Sequence, residues 1–416
     1  MPKTRRRFEG WLVIDEGASA PRRSTRPGGA ALLLSLLCLL LAAAASAQMD
    51  DIDRARRMHD RLAGVPPDDV TLAEMASHIG NGDADLAAEL AMQNPNFYNV
   101  VLKNWITPWT NEDMTVFAPL NDYTATVIGM IRDDVPFNLV LSEDIIYTGA
   151  NGLVDPNYQQ TSNDHYVALE SQGIDLSDSG LLVQRTQSGL PGSQLSSSDA
   201  AGIVTTRAAA EAFFPDGTNR AMWRFTSINF LCRDLEQMND ITRGGDRIRQ
   251  DVTRSPGGDS EIFLNTCFGC HAGMDGLAGA YAYFDWDPDQ GDGRLVNTPG
   301  IVQEKYLIGG NTFPLGYITT DNSWINYWRE GPNSLLDWRG ASDRGFGAKS
   351  LGAEVAATRA FSVCQVEKVF EEVCFSGPKS QTDRDAIEDI ADEFEENGIY
   401  RMKSVFASVA EHCMDR

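Results

Sequence analysis

No other seven residues narrow what this chain can fold around as far as Asn265-Thr266-Cys267-Phe268-Gly269-Cys270-His271. Two thiols separated by two residues lie about one helical turn apart, which spans the two vinyl groups of a porphyrin, and the next imidazole then swings beneath the iron. The string therefore predicts one covalent c-type haem, with Cys267 and Cys270 as the attachment thiols and His271 as the proximal iron ligand. With seven Cys and five His in 416 residues, it arises by chance roughly 0.001 times per chain. Phe263 lies four residues before Cys267, so one turn of helix places it to pack on the macrocycle, with Ile262 and Leu264 beside it. Other uses of a cysteine pair fit less well. A thioredoxin-like pair wants a strand before it and a helix after it, and a zinc site wants a second Cys/His pair at suitable spacing. The sequence offers neither.

A sixth iron ligand would decide the chemistry. Methionine gives a high-potential carrier, histidine a lower one, and an open position admits small ligands. Met274, three residues past His271, belongs to the proximal side; Met222 and Met402 could reach the iron by folding. Among the imidazoles, His165 stands out because Asn163-Asp164-His165-Tyr166 falls in a polar stretch with no helix pattern to bury it. Its plain alternative is a surface or hydrogen-bonded histidine. His165 and Met402 are the two candidates for the sixth position. His59 and His78 read as positions on amphipathic helices, and His412 as a helix-end residue.

Residues 1–47 read as an export signal: basic side chains up to Arg26, an apolar run from Ala31 to Ala44, then Ala45-Ser46-Ala47 as a small-x-small cleavage site. No other apolar stretch reaches membrane-spanning length, so the mature chain is expected to lack an integral span and to be periplasmic or secreted in a bacterium. Net charge is −24, and the signal is itself basic, so the mature part is more acidic still. Such a surface repels nucleic acid, which excludes a nucleic-acid role. Its simplest meaning is solubility; a functional one is steering toward a basic redox partner.

Residues 48–150 read as a helical N-terminal domain. Ile52, Ala55, Met58, His59 and Leu62 share one helix face, Thr71–Ile79 and Ala84–Met92 follow, and Leu120–Ile131 and Phe137–Ile146 complete it. Gly, Ser, Asn, Asp and Gln dominate 151–205, a loop-rich connector. From 206 to 416 helix patterns return, including Arg207–Phe214, Met222–Cys232, the motif helix from near Asp259, and three C-terminal helices over Ala353–Val373, Thr382–Glu396 and Tyr400–His412. The class is mainly α, with a C-terminal helical, cytochrome c-like haem domain.

Around the motif, Met274-Asp275, Gly279, Phe284-Asp285 and Gly293-Arg294 complete a pattern that resembles the haem module of the planctomycete-type cytochrome C family. The segment from Ala201-Gly202-Ile203 through Asn219-Arg220-Ala221-Met222-Trp223 to Cys232 is similar to what precedes that module, and Ala360–Cys364 and Tyr400–Ser408 to its C-terminal helices. Residues Arg61–Pro67 and Asn94–Tyr98 resemble the helical module that opens related chains. The resemblance implies a secreted haem protein and names no substrate. Trp286–Asp292 is an insertion relative to the pattern.

At and just before that insertion, Asp285, Asp287, Asp289 and Asp292 are spaced as calcium ligands, but the loop lacks the late bidentate Glu of an EF-hand. An acidic turn holding no ion is the favoured reading. Export favours disulfides among the other cysteines. If one helix carries Cys364 and Cys374, ten residues at about 1.5 Å rise separate them by roughly 15 Å, too far to pair. Three antiparallel helices would instead join Cys374 to Cys413, leaving Cys232 for Cys364. Trp324, Tyr327, Trp328 and Trp338 read by default as core, and otherwise as a pocket wall. Three functions compete: one-electron transfer to or from a periplasmic partner, a haem oxidoreductase with an open distal site for a small substrate or peroxide, and a structural haem protein.

Overall fold

Caps and short polar breaks, more than long apolar runs, divide this chain into helices. The computed structural model describes residues 49–215 and 217–415; the predicted signal and its cleavage site at Ala47 lie outside them. Residues 49–63 form α1, whose inward stripe is Ala55, Met58 and Leu62. Asp68 opens α2 (Asp69–Asn81) by accepting the Val70 and Thr71 amides, and Gly82, at φ 87°, closes it. After α3 (Ala84–Met92) comes a continuous helical stretch, Phe97–Leu102, Lys103–Ile106 and Thr107–Thr110. Asn121 caps α4 (Asp122–Arg132), α5 is Asp164–Ser171, α6 is Arg207–Phe213 and α7 is Arg220–Leu231. The motif helix α8 (Phe268–Ala278) precedes α9 (Gly347–Ala356), α10 (Arg359–Cys374), α11 (Gln381–Glu395) and α12 (Met402–Cys413). The protein is mainly helical, as the sequence predicts, with small two-stranded sheets.

Three local expectations differ from the structure. Phe137–Ile146 is not a helix: a short turn, Phe137–Leu139, leads to β1 (Ile146–Gly149), which pairs antiparallel with β2 (Leu182–Arg185), Tyr147 opposite Gln184. The Ile145-Ile146-Tyr147-Thr148 run is β-branched and aromatic and is buried throughout, which suits a strand. The predicted helix Ala353–Val373 is two helices, α9 and α10. Thr358 breaks it by turning its hydroxyl to the Phe361 amide at 3.0 Å, a cap worth about 1 kcal/mol. The polar stretch 151–205 contains α5 and β2 and is anchored: Gln187 donates from Nε2 to the carbonyls of Ile145 (2.9 Å) and Gly202 (2.6 Å).

Residues Asp50–Arg416 form one compact unit. The last helix, α12, packs on α3 and α10; α10 packs on α7, and α7 on α8. One apolar core thus runs from Ala55 to Met414. Rings thread it in sequence: Phe97 to Phe406 (5.1 Å), Phe406 to Trp105 (5.3 Å), Trp105 to Trp109 (4.7 Å), Trp109 to Phe230 (5.9 Å), Phe230 to Phe361 (6.2 Å). Edge-on and offset ring pairs of this kind add about 0.5–1.5 kcal/mol each beyond area burial. Two disulfides pin the same helices. Cys232–Cys364 ties the end of α7 to the middle of α10, and Cys374–Cys413 ties the ends of α10 and α12, the pairing that helix geometry predicts.

Candidate functional site

The Cys-x-x-Cys-His segment starts at Asp259, whose carboxylate caps the turn Ser260–Ile262 by accepting the Glu261 amide. A π-helical turn, Phe263–Cys267, follows and runs into α8. Such π turns recur at functional sites because they re-aim side chains within a helix.

One face of α8 is made of glycine. A Cβ on Gly273 would lie 2.1 Å from the Trp328 ring, and one on Gly269 would collide with the Asn239 amide. Trp328 is fully buried and lies 5.9 Å from Trp223 on α7. The absence of side chains on this face therefore lets α8 press directly against the core. Trp324, Trp328 and Trp338 are buried; Trp324 donates to Ser350 Oγ at 2.7 Å and Trp338 to the Asn333 carbonyl at 3.1 Å. Tyr327 is partly exposed and donates to Asp246. The strand and turn that carry Trp324 and Trp328 form the wall behind the motif helix.

His271 occupies the other side of α8, with its side chain 21% exposed. Its Nδ1 lies 3.1 Å from Asp275 Oδ1, one helical turn on. Asp275 is completely buried and receives Arg220 through a fork, Nε to Oδ1 at 2.7 Å and Nη2 to Oδ2 at 3.0 Å. Arg249 adds its backbone amide to Oδ2 at 3.2 Å and donates Nη1 to the Asp275 carbonyl at 3.1 Å. Arg220 grips Asp251 in the same way, at 2.6 and 3.0 Å. Burial alone would raise the Asp275 pKa, but the Arg220 and Arg249 guanidiniums outweigh it and hold the carboxyl well below its usual range. An ionised carboxylate only accepts, so His271 donates from Nδ1, and in the neutral ring Nε2 then keeps its lone pair for a metal.

Cys267 and Cys270 are not in disulfides and are partly exposed. Cys270 Sγ lies 3.4 Å from the Leu235 carbonyl, and burial, followed by the charge of Glu236, pushes its thiol up. Around them sits a small second apolar cluster, Ile248, Phe263 and Ala272, with Val252, Cys267 and Phe268 against it. Phe263 is buried there, 5.9 Å from Phe268, and the Arg254 guanidinium lies over Phe263 (5.0 Å) and Phe313 (4.3 Å). Ile262 and Leu264 flank it at 44% and 54% exposure.

The structure does not gather the two sixth-ligand candidates around this cluster. His165 sits on α5, its Nε2 accepting the Gly149 amide at 2.9 Å and its Nδ1 donating to the Pro156 carbonyl at 2.9 Å. Both ring nitrogens are thus committed to backbone. Met402 is buried at the start of α12, the helix that packs on α3 and α10. The four insertion carboxylates also disperse along the β3 (Phe284–Asp287) and β4 (Arg294–Asn297) hairpin. Asp285 pairs with Lys305 at 2.6 Å, Asp287 accepts the Asp289 amide, and Asp292 accepts Ser162 Oγ at 3.0 Å. Among the described residues no group of three or more His, Cys, Asp or Glu side chains is placed to hold a bare metal ion, and no helix is long and apolar enough to cross a membrane. A cleft of about 470 Å³ opens between Asn111, Asn163, Arg207 and Asp292, with no wall from the motif segment.

Asp275, Arg220 and Arg249 are the site residues that sequence reasoning did not single out as functional. The first was legible, since an Asp four residues after His271 on one helix must face it. The two arginines come from other segments and carry no local signal. No family model, no curated protein and no solved structure matches the chain.

Proposed function

We propose that this chain is an exported protein bearing one covalent c-type haem on Cys267, Cys270 and His271, and that it passes single electrons to or from a partner outside the cytoplasm. The observation that carries the reading is the donor set. Four cysteines are paired in disulfides while Cys267 and Cys270 keep their thiols, and the adjacent His271 has Nδ1 anchored and Nε2 open. Thioether attachment consumes thiols, so those two must stay reduced. Bound haem supplies a one-electron ferric/ferrous couple. The chain's own part is to hold the imidazole at one angle, to set the apolar cluster of Ile248, Phe263 and Val252 beside Cys267, where it would flank a bound haem, and to back α8 with rigid core. Membership of the planctomycete-type cytochrome C family belongs to the same proposal and rests on the motif and its flanks.

One observation favours the second reading, a haem oxidoreductase with an open distal position. His165 has no free ring nitrogen and Met402 is packed within the C-terminal helices, so both nominated sixth ligands are engaged elsewhere.

A denaturing gel stained for haem peroxidase activity tests attachment, because only covalent haem survives it. Protein from a maturation-competent periplasm should give a band, and the Cys267→Ser, Cys270→Ser double variant none; wild-type protein without a band sinks the proposal. Carbon monoxide added to the ferrous protein then separates the readings: prompt binding speaks for the open site, an unreactive low-spin spectrum for the carrier.

A further inference from the structure

We propose that Asp275 is a positioning residue for the iron ligand: a buried carboxylate that holds the His271 ring through its Nδ1 proton and makes Nε2 a stronger donor, with Arg220 as the latch that fixes Asp275. The proposal rests on the haem reading and adds to it. The motif specifies a histidine but is silent about what that histidine leans on. A carboxylate in this role raises the basicity of the ligating nitrogen and favours the more oxidised metal, more than a neutral carbonyl partner would.

The geometry supports a designed arrangement over an incidental contact. Asp275 has no exposed surface, so its charge is not screened by water. All of its acceptor capacity is directed. Oδ1 takes His271 Nδ1 and Arg220 Nε; Oδ2 takes Arg220 Nη2 and the Arg249 amide. A carboxylate held by four donors cannot rotate, so the imidazole bonded to it cannot either. Arg220 is fixed in turn by its second fork to Asp251. The row His271, Asp275, Arg220, Asp251 thus connects the proposed iron ligand on α8 to α7 and to the loop after Arg249. Arg220 also competes with His271 for the charge on Oδ1, so it moderates the effect that Asp275 exerts.

The test uses the haem-bearing protein in its diamagnetic ferrous, carbon monoxide-treated or low-spin state, with ring nitrogens labelled. In the wild type, the His271 Nδ1 proton should lie well downfield and exchange slowly with solvent. Asp275→Asn should move the Nδ1 nitrogen shift toward that of a neutral hydrogen bond and raise the reduction potential. Arg220→Lys keeps the charge but loses the fork; it should speed exchange of the Nδ1 proton with a smaller change in potential. A charge acting only through space would move the potential and leave the Nδ1 shift unchanged, which would overturn the proposal. If Asp275→Asn fails to fold, the wild-type measurement still decides: a fast-exchanging, ordinary Nδ1 proton overturns it. Absence of a haem-staining band would instead sink the haem reading itself, so the two failures are distinguishable.

Discussion

The two apolar regions of this protein are finished to different degrees. The large core closes on itself: the helical stretch Phe97–Thr110 meets α7, α10 and α12 with rings in contact, and two disulfides tie these last three helices together. The small cluster holds only three buried residues, Ile248, Phe263 and Ala272, and Ile262 and Leu264 beside it face outward. Yet the polar side of the same site is fully built, with a buried carboxylate and two arginines arranged around His271. Under the haem reading, the cofactor would add its own apolar surface to this small cluster. The large core makes the fold, and under the haem reading the small one makes a seat.

The strongest way to break that comparison is to withhold haem. Expressed without c-type maturation, the chain should be colourless and its 248–272 segment should lose amide protection, while α3, α10 and α12 keep theirs. Hydrogen exchange read by mass spectrometry checks this, and equal protection of both regions in the colourless protein would erase the distinction.

Next in size are the crosslinks of the large core. Removing Cys232–Cys364, which closes a 132-residue separation, should cost about 5 kcal/mol, and removing Cys374–Cys413, which closes 39, about 4 kcal/mol. Paired serine variants and denaturant titration give both values; the reverse order would show residual structure in the unfolded chain.

A matched pair of phenylalanines sharpens the contrast further. Phe361→Ala, in the ring chain, should cost about 3–5 kcal/mol whether or not haem is attached. Phe263→Ala should cost about 3 kcal/mol in colourless protein, the low end for a buried ring because its cluster is small, and more once haem is bound. A cost for Phe263→Ala that ignores haem would remove it from the seat.

The smallest effect is a pH dependence outside the seat. Burial lowers the His165 pKa from its ordinary 6.5, against the hydrogen bond to Pro156. The unfolded chain therefore binds a proton below about pH 6.5 that the folded chain resists, so stability should fall as pH drops through that range. His165→Asn should flatten this slope in denaturant midpoints taken on either side of it.

Much of the large core was legible because helices announce themselves by period and cap. Ala55, Met58 and Leu62 fell on one face, and helix length alone separated Cys364 from Cys374. Thr358 was not read as a break, because a threonine inside an otherwise helical run caps only when its hydroxyl finds the amide ahead. The strands escaped because three or four residues give too short an alternation to count. At the site the sequence named the donors but not their supports. His271–Asp275 was a local signal left unused, whereas Arg220 and Arg249 meet Asp275 only through tertiary folding.

The Cys232–Cys364 bridge has a consequence for how the protein is made. On the proposed export and removal of residues 1–47, the mature chain emerging from its N-terminus presents Cys232, then Cys267 and Cys270, and only much later Cys364. An oxidase joining thiols in order of emergence would capture Cys232 with Cys267 and ruin both the crosslink and the attachment site. The native pairing therefore demands either reshuffling by thiol–disulfide exchange or removal of Cys267 and Cys270 from the competition first. Under the haem reading, attachment does the latter. The cofactor then acts as a protecting group for the oxidative steps that follow, and yield should depend on the order in which the two maturation systems reach the emerging chain.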